Sequence, residues 1–471
     1  LIVTQDKKFT GLTSDSRAVD KGFLFAALKG HTHDGRAFIV EALQKGASAI
    51  LTHIGTPKPD TQAMWMEEEN PRLRFAHEAA KFYAGQPAHM IAVTGTNGKT
   101  STVNFTRIIW EYLGVHAASI GTLGVIGQGI SGYDGMTTPD PVKLHQVLQS
   151  ISQHGVTHAA MEASSIGLDQ YRLDGAHIHV AAFTNLTQDH LDYHGDMEAY
   201  RDAKARLFSD VVEENGTVIL NADDPASSYY EDITRKRGLR VWTYGKAGHD
   251  VCIRARAPDA RGQRLTLSVF GKEYNMYIPL VGEFQAMNVL CAAACVMAGG
   301  VSFEKISPIL EKLPVISGRM QRVDDPQGVR TSYIDYAHTP DALENILKAL
   351  RPHTQKRLIC VFGCGGDRDR TKRPLMGAIA ARLADIAIVT DDNPRSEDPA
   401  AIRAEILRGA GDSVLNIGGR RAAIAHAVSL CTQGDILVIA GKGHEHGQIF
   451  KDHTEPFDDA AELAAAMKGA L

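Results

Sequence analysis

The chain has 471 residues, with 50 basic against 55 acidic side chains and a net charge of −5. At about 150 residues per domain this length predicts three domains, and the slightly acidic balance excludes a broadly basic nucleic-acid surface while leaving local anion sites open. Hydrophobic residues make up 44%, enough for several buried cores, but the longest nearly apolar stretch, Val289 to Val301, is shorter than the ~20 residues of a membrane span.

No basic-then-apolar leader opens the sequence. The six cysteines (Cys252, Cys291, Cys295, Cys360, Cys364, Cys431) contain no CxxC pair. They predict neither a disulfide framework nor a zinc site, which points to a reduced, cytoplasmic setting. Cys291 and Cys295 are four apart in an Ala-rich helical run and read as packing residues.

In chain order, residues 1–87 read as a small first unit. A helix from Gly35 to Ile50, with Phe38, Ile39, Ala42 and Leu43 apolar, leads into a strand at Ser48–Leu51. The Gly85-Gln86-Pro87 punctuation closes the unit. From His89 the pattern becomes strand, turn, helix, repeated. Strands are predicted at His89–Val93, Thr157–Met161, Val180–Phe183 and Thr217–Leu220, followed by a β insertion with runs Arg264–Val269 and Tyr274–Ile278, and a helix Ala286–Ala298. A second boundary lies near residues 313–318. Beyond it strands are predicted at Ser332–Ile334, Arg357–Phe362, Ile386–Thr390, Val414–Ile417 and Ile436–Ala440. Such βα alternation predicts doubly wound parallel sheets with ligands at the carboxyl ends of the strands.

The most specific signal is Thr94-Gly-Thr-Asn-Gly-Lys-Thr-Ser101 between a buried strand and a helix. Gly95 and Gly98 let backbone N–H groups of residues 95–101 close around phosphate oxygens at a helix N-terminus. Lys99 can neutralise the β- and γ-phosphates, and Thr100 can place its hydroxyl on Mg²⁺. Val93 stands where the strict Walker A pattern has glycine. These residues predict ATP or GTP binding. Glu162 ends a neighbouring strand, where its carboxylate would face this loop.

Three later loops each follow a predicted strand: residues 362–370, Asp392-Asn-Pro-Arg395 and Ala440-Gly-Lys-Gly-His-Glu445. They should converge at one sheet edge and bring together Arg368, Arg395 and Glu445. An amino acid with an extra carboxylate and an extra ammonium would satisfy that set, the arginines forking onto the carboxylate. Cys364, in the first of these loops, is read as structural.

The spelling Thr-Gly-Thr-Asn-Gly-Lys-Thr resembles the phosphate loop of the Mur ligases and their folylpolyglutamate synthetase relatives, and further runs extend the resemblance to Mur ligases over nearly the whole chain. It implies an α/β protein of three domains: a small N-terminal α/β domain (1–87) binding UDP, a central P-loop-type parallel-sheet ATPase domain (88–314), and a C-terminal Rossmann-like doubly wound domain (315–471) binding an amino acid. The run 183–195, with His190 among Asp189, Asp192 and His194, resembles the central-domain signature. By resemblance Glu162 and His190 bind a second Mg²⁺, and Lys204 is carbamylated, becoming an anionic acceptor. Asn288, in Gly282-Glu-Phe-Gln-Ala-Met-Asn288, matches a base contact, and Gln285 departs from the usual spelling and has no assigned role. Arg319 matches a linker arginine reaching the phosphates, and Asp335, with His338 close by, an acid near the ribose.

Asp-Asn-Pro-Arg resembles the motif of the family members that add meso-2,6-diaminopimelate. It implies a pocket of Arg368, Asp392, Asn393, Pro394, Arg395, Gly441 and Glu445. Ser14, Ser16 and His31-Thr32-His33 match positions that bind the UDP end of the muramoyl substrate, and Thr137, Thr138, Ser164, Gln170 and Arg172 match positions holding its peptide side. Met136 stands where the family often has Asn. The implied activity is ATP-dependent addition of meso-2,6-diaminopimelate to UDP-N-acetylmuramoyl-L-alanyl-D-glutamate through an acyl phosphate, by a cytoplasmic monomer that closes its third domain over the reactants. Two alternatives stay open: lysine addition by the same scaffold, and a P-loop switch that hydrolyses ATP without an amino acid.

Overall fold

In the computed structural model, residues 9–30, 33–130, 137–259, 261–328, 330–411 and 414–469 are described. Near the N-terminus, four short strands (Gly11–Thr13, Phe23–Ala26, Ala49–His53, Met64–Glu68) pair in parallel and in sequence order. The helix predicted from Gly35 to Ile50 is much shorter. Residues Gly35–Phe38 form a 3₁₀ turn capped by the Asp34 side chain, and the α-helix covers only Ile39–Gln44. Gly46, at φ +93°, ends it, because a left-handed residue cannot continue the helix. A second helix, Pro71–Phe82, starts at Asn70, whose side chain accepts from the Leu73 N–H, and buries Phe75 against the sheet.

The second sheet has ten strands. Seven run parallel, in the spatial order Val251–Asp259, Arg240–Gly245, Val212–Asn221, Ile178–Phe183, His89–Thr94, His158–Glu162, Ala117–Gly121. Antiparallel strands flank them: Gly262–Val269 and Lys272–Ile278 on one side, Gly124–Gly127 on the other. The sheet is therefore mixed rather than purely parallel. Strand His89–Thr94 lies in the middle, with Val93 opposite Glu162 and Thr94 opposite Phe183. That register makes the segments after Thr94, Glu162 and Phe183 emerge side by side. Helix Glu283–Ala298 is apolar almost all round and buried, and it packs on helix Lys99–Tyr112. Cys291 and Cys295 lie within that packing. Each fully buried side chain such as Ile109 or Leu290 contributes roughly 1.5–3 kcal/mol, so the loop between strand and helix stands on a rigid base.

The third sheet has six strands in the order Gln321–Asp324, Thr331–Asp335, Ile436–Ala440, Leu358–Phe362, Ile386–Val389, Leu415–Asn416; only the first pair is antiparallel. The parallel strands end together at Asp335, Ala440, Phe362 and Val389. Their loops therefore share one edge, as the alternation predicted. Among the described residues, no helix is long and apolar enough to cross a membrane.

Candidate active site

The loop 95–98 owes its shape to two glycines. Gly95 has φ +147°, and a Cβ there would overlap the Thr184 hydroxyl; Gly98 has φ +87°, and a Cβ would overlap the Asn288 side-chain oxygen. Asn288 thus sits directly behind the loop. The Lys99 ammonium donates to the carbonyls of Gly95 and Thr96, both at 2.8 Å. Burial lowers its pKa, with Glu162 and Asp189 acting in the opposite direction.

Beside the loop, Glu162 is 1% exposed. Its carboxylate accepts from the Thr122 N–H at 2.8 Å and the Thr122 hydroxyl at 3.1 Å. Thr122, which sequence reading missed, follows strand Ala117–Gly121, which was also missed. The Thr122 hydroxyl reaches the Thr137 hydroxyl at 3.1 Å. Thr138 donates to the Glu162 carbonyl at 2.9 Å and accepts from the Ser164 N–H at 2.9 Å. Arg172 donates to the Thr138 carbonyl at 2.8 Å and to Gln170 at 2.7 Å. The five residues expected to hold the peptide side are therefore linked in one network.

His190 is a left-handed residue, φ +53°. Its Nε2 lies 3.4 Å from Asp189; burial lowers its pKa, and the Asp189 charge opposes that shift. Burial opposes the charge of Asp189, yet His190, His338 and Lys372 hold its carboxyl down at about 2. Lys204 is 1% exposed, not a helix-surface lysine. Its ammonium donates to the Gly95 carbonyl at 3.1 Å and lies 4.1 Å from the Tyr200 ring centre. Burial first, and Lys99 second, push its pKa well below the usual lysine range.

Arg319 crosses from the third sheet's side: its Nη2 donates to the Thr100 hydroxyl at 3.0 Å, and its guanidinium lies 4.5 Å from the Tyr336 ring centre. The Asp335 carboxylate accepts from the N–H groups of Met320 and Ala337 at 2.7 and 2.8 Å, fixing the chain just after Arg319. Burial raises its pKa to about 6 despite Arg319. Gln285, without an assigned role from sequence, is fully buried and donates to the Arg319 carbonyl at 3.4 Å. Asn288, Arg319, Asp335 and His338 line a small cavity that also touches Asn97, Gly98 and Ser101.

At the third sheet's edge, Asn393 donates to Glu445 at 2.8 Å and accepts from Lys442 at 2.6 Å. Asp392 accepts from the Asn393 N–H at 2.6 Å, and Gly441, at φ +121°, leaves room for Asp392 where a Cβ would come within 2.6 Å of its carboxylate. Arg395 Nη1 donates to the Gly366 carbonyl at 2.9 Å, and the Pro394 carbonyl accepts from the Glu397 N–H at 3.1 Å. Burial and the neighbouring Arg368 disfavour the Arg395 charge. Glu397, two residues beyond Arg395, pairs Arg373 at 2.8 Å. Cys364 is buried against Met376, and burial pushes its thiol up to about 12.

These parts meet in one cavity of about 280 Å³. Its wall includes Thr96–Thr100, Thr122, Thr137, Glu162, Asp189 and His190 on one side and Arg319, Arg368, Lys372, Asp392, Asn393, Arg395, Gly441 and Glu445 on the other. Asn97 also donates to Asp341 at 2.9 Å and Gln188 to Thr371 at 3.0 Å, across the same junction. Among the described residues, six non-glycine residues have positive φ; His190, Met320, Asp367 and Arg395 belong to these loops, the strain expected where a site is preset. Ser14, Ser16 and His33 lie apart from the cavity. Ser14 and His33 are exposed, and Ser16 reaches Glu41 at 3.4 Å. His31, Thr32 and Met136 lie outside the described residues.

Comparison with known proteins gives three family matches in chain order. The Mur ligase family catalytic domain matches residues 8–93, the Mur ligase middle domain residues 93–296, and the Mur ligase glutamate ligase domain residues 318–443. The chain is 48% identical over 464 residues to the UDP-N-acetylmuramoyl-L-alanyl-D-glutamate–2,6-diaminopimelate ligase of Brucella melitensis, covering 98% of this chain and 95% of that one. It is 49% identical over 473 residues to the protein of the same name from Caulobacter vibrioides, covering 98% and 96%. A solved structure bearing that ligase name matches with a TM-score of 0.70 and 34% identity, over 98% of this chain and 95% of that chain.

Proposed function

This chain belongs to the Mur ligase family, and we propose that it adds meso-2,6-diaminopimelate to UDP-N-acetylmuramoyl-L-alanyl-D-glutamate, using ATP, in peptidoglycan precursor synthesis. One observation carries the reading: a single cavity is walled by a phosphate loop and by a pocket of two arginines with Asp392, Asn393 and Glu445.

In this reading residues 1–87 bind the UDP end through Ser14, Ser16 and His31–His33. Residues 88–314 hold ATP and the peptide side, the latter through Thr137, Thr138, Ser164, Gln170 and Arg172. Residues 315–471 hold the amino acid. The N–H groups of residues 95–101 and the Lys99 ammonium cradle the triphosphate, Arg319 reaches it across the junction, and Asn288 and Asp335 face the nucleoside. Glu162, the Thr100 hydroxyl and the neutral His190 ring supply hard oxygen and imidazole donors on the phosphate-loop side, a set that fits Mg²⁺. One ion would be held at the Thr100 hydroxyl and a second by Glu162 and His190, with a carbamate on Lys204 as a further anionic acceptor, and together they would offset charge on the transferring phosphoryl group. The low pKa of Lys204 supports the carbamate, because only a neutral amine adds to CO₂.

The D-glutamyl carboxylate oxygen attacks the γ-phosphorus, the bond to ADP breaks, and an acyl phosphate results. The diaminopimelate amine then attacks the acyl carbon, loses a proton, and phosphate leaves. Excluding water protects the acyl phosphate, and contacts such as Asn97–Asp341 and Arg319–Thr100 hold the two sides of the cavity together. The reading takes the protein as a monomer acting in the cytoplasm. Diaminopimelate is favoured over lysine because the half-buried Arg395 and the exposed Arg368 beside it repel each other and call for a second carboxylate.

Phosphate release measured with the UDP-muramoyl-dipeptide and either diaminopimelate or lysine tests the reading. It should require both substrates and prefer diaminopimelate. Release stimulated by neither substrate would favour the switch and overturn the proposal.

A further inference from the structure

Lys442 lies inside the loop 440–445, yet neither the motif reading nor the proposed chemistry uses it. Its side chain is 0% exposed. Its ammonium lies 2.6 Å from Asn393 Oδ1, 3.2 Å from Glu445 Oε2 and 4.0 Å from Asp392 Oδ1. The Ile449 N–H donates to the same Asn393 oxygen at 3.0 Å. Two donors on one side oblige the amide to present its oxygen there, so its NH₂ faces Glu445, which accepts it at 2.8 Å through Oε2. Both bonds to Glu445 fall on Oε2, and among the described residues Oε1 carries no hydrogen bond to protein; the side chain is 30% exposed toward the cavity.

Burying an ammonium costs several kcal/mol unless it is paired and hydrogen-bonded. Here it neutralises one of two adjacent carboxylates, Asp392 and Glu445. Arg420 also faces Asp392, but its own charge is balanced by the buried Asp459, so one negative charge is left over, directed at the cavity, which suits one ligand ammonium.

We infer that Lys442 is a positioning residue: it fixes the Asn393 amide and the Glu445 carboxylate in the orientation that receives the distal ammonium of the incoming amino acid. The inference rests on the proposed function, since it names which end of diaminopimelate this corner recognises. Lys442 touches no reacting atom. The distal carboxylate is left to Arg395 and Arg368.

The test compares Lys442→Met with the parent enzyme on two amino acids: diaminopimelate, and 2-aminopimelate, which keeps the reacting amine and distal carboxylate but lacks the distal ammonium. In Lys442→Met the KM for diaminopimelate should rise tenfold or more. The KM values for 2-aminopimelate and ATP should change less than threefold, so that discrimination between the two amino acids collapses. An equal rise for both amino acids, or no rise, would overturn the inference. Lys442→Gln, which keeps a donor toward Asn393 without the charge, is measured in parallel and should fall between. If neither variant folds, Lys442 serves stability and the inference fails. If the parent enzyme uses neither amino acid, the functional reading itself fails.

Discussion

Lys99 and Lys204 donate to the same acceptor, the carbonyl oxygen of Gly95, at 2.8 and 3.1 Å. Burial lowers the proton affinity of both amines, and at Lys204 the neighbouring Lys99 charge lowers it further. Converting Lys204 to a carbamate would replace repulsion by attraction and free Lys99 for the triphosphate. Lys204→Ala should therefore lose at least ~100-fold in kcat, the scale of a positioned catalytic group, and short-chain carboxylic acids should restore part of it. A loss that no carboxylate rescues would show that the lysine acts without the carbamate.

Arg319 binds Thr100 from across the junction. A hydrogen bond from a charged donor contributes about 1.5–3 kcal/mol, so Arg319→Ala should raise the KM for ATP roughly 10- to 100-fold. The KM for the amino acid should stay near the parent value. Initial-rate kinetics with each substrate varied in turn separate the two.

Arg395 donates to the Gly366 carbonyl of the neighbouring loop, with burial and Arg368 both disfavouring its charge. Arg395→Ala should lower the kcat/KM ratio of diaminopimelate to lysine by about tenfold or more, the worth of a charge-assisted pair. An unchanged ratio would move the carboxylate contact elsewhere.

Below the amino-acid loops, Arg420 and Asp459 form an ion pair with both side chains 0% exposed, at 2.7 Å, and Arg420 also donates to the Ala440 carbonyl at 3.0 Å. Asp459→Asn leaves the buried guanidinium without its ion-pair partner. Denaturant unfolding should show a loss of about 3–5 kcal/mol. Replacing both partners by apolar residues should cost less than the single change.

Acid should act through His145. Burial pushes its pKa down to about 4, helped by His177 and His77, while its contact with the Asp174 carbonyl opposes the shift. The unfolded chain takes up a proton near pH 6.5, and the folded chain refuses it until about pH 4. Stability is therefore complete above that window and falls as pH drops through it, by at most about 3 kcal/mol. Thermal unfolding of His145→Gln should show a flatter dependence between pH 6.5 and 4.

What was legible in the sequence is what is local. Gly95, Gly98, Lys99 and Thr100 work within one strand-loop-helix, and their spelling carries the geometry. The βα rhythm placed residues 362–370, 392–395 and 440–445 on one edge for the same reason. Lys442 was missed because its partners Asp392 and Asn393 come from a different loop, whose meeting with residues 440–445 only packing reveals. Thr122 was missed because strand Ala117–Gly121 is built from small residues with little alternation. The helix through residue 50 was overdrawn because Gly46 sits inside an otherwise apolar run. Gln285, a departure in spelling, turns out to support the chain at Arg319.

The central claim is that ATP is spent on an acyl phosphate of the D-glutamyl carboxylate, which diaminopimelate then captures in the shared cavity. Its most direct test uses UDP-muramoyl-dipeptide labelled with ¹⁸O in both oxygens of that carboxylate, with diaminopimelate and ATP, followed by mass analysis of the released phosphate. The account predicts one ¹⁸O in each phosphate and one in the new amide. Unlabelled phosphate, with both labels remaining on the dipeptide, would contradict it.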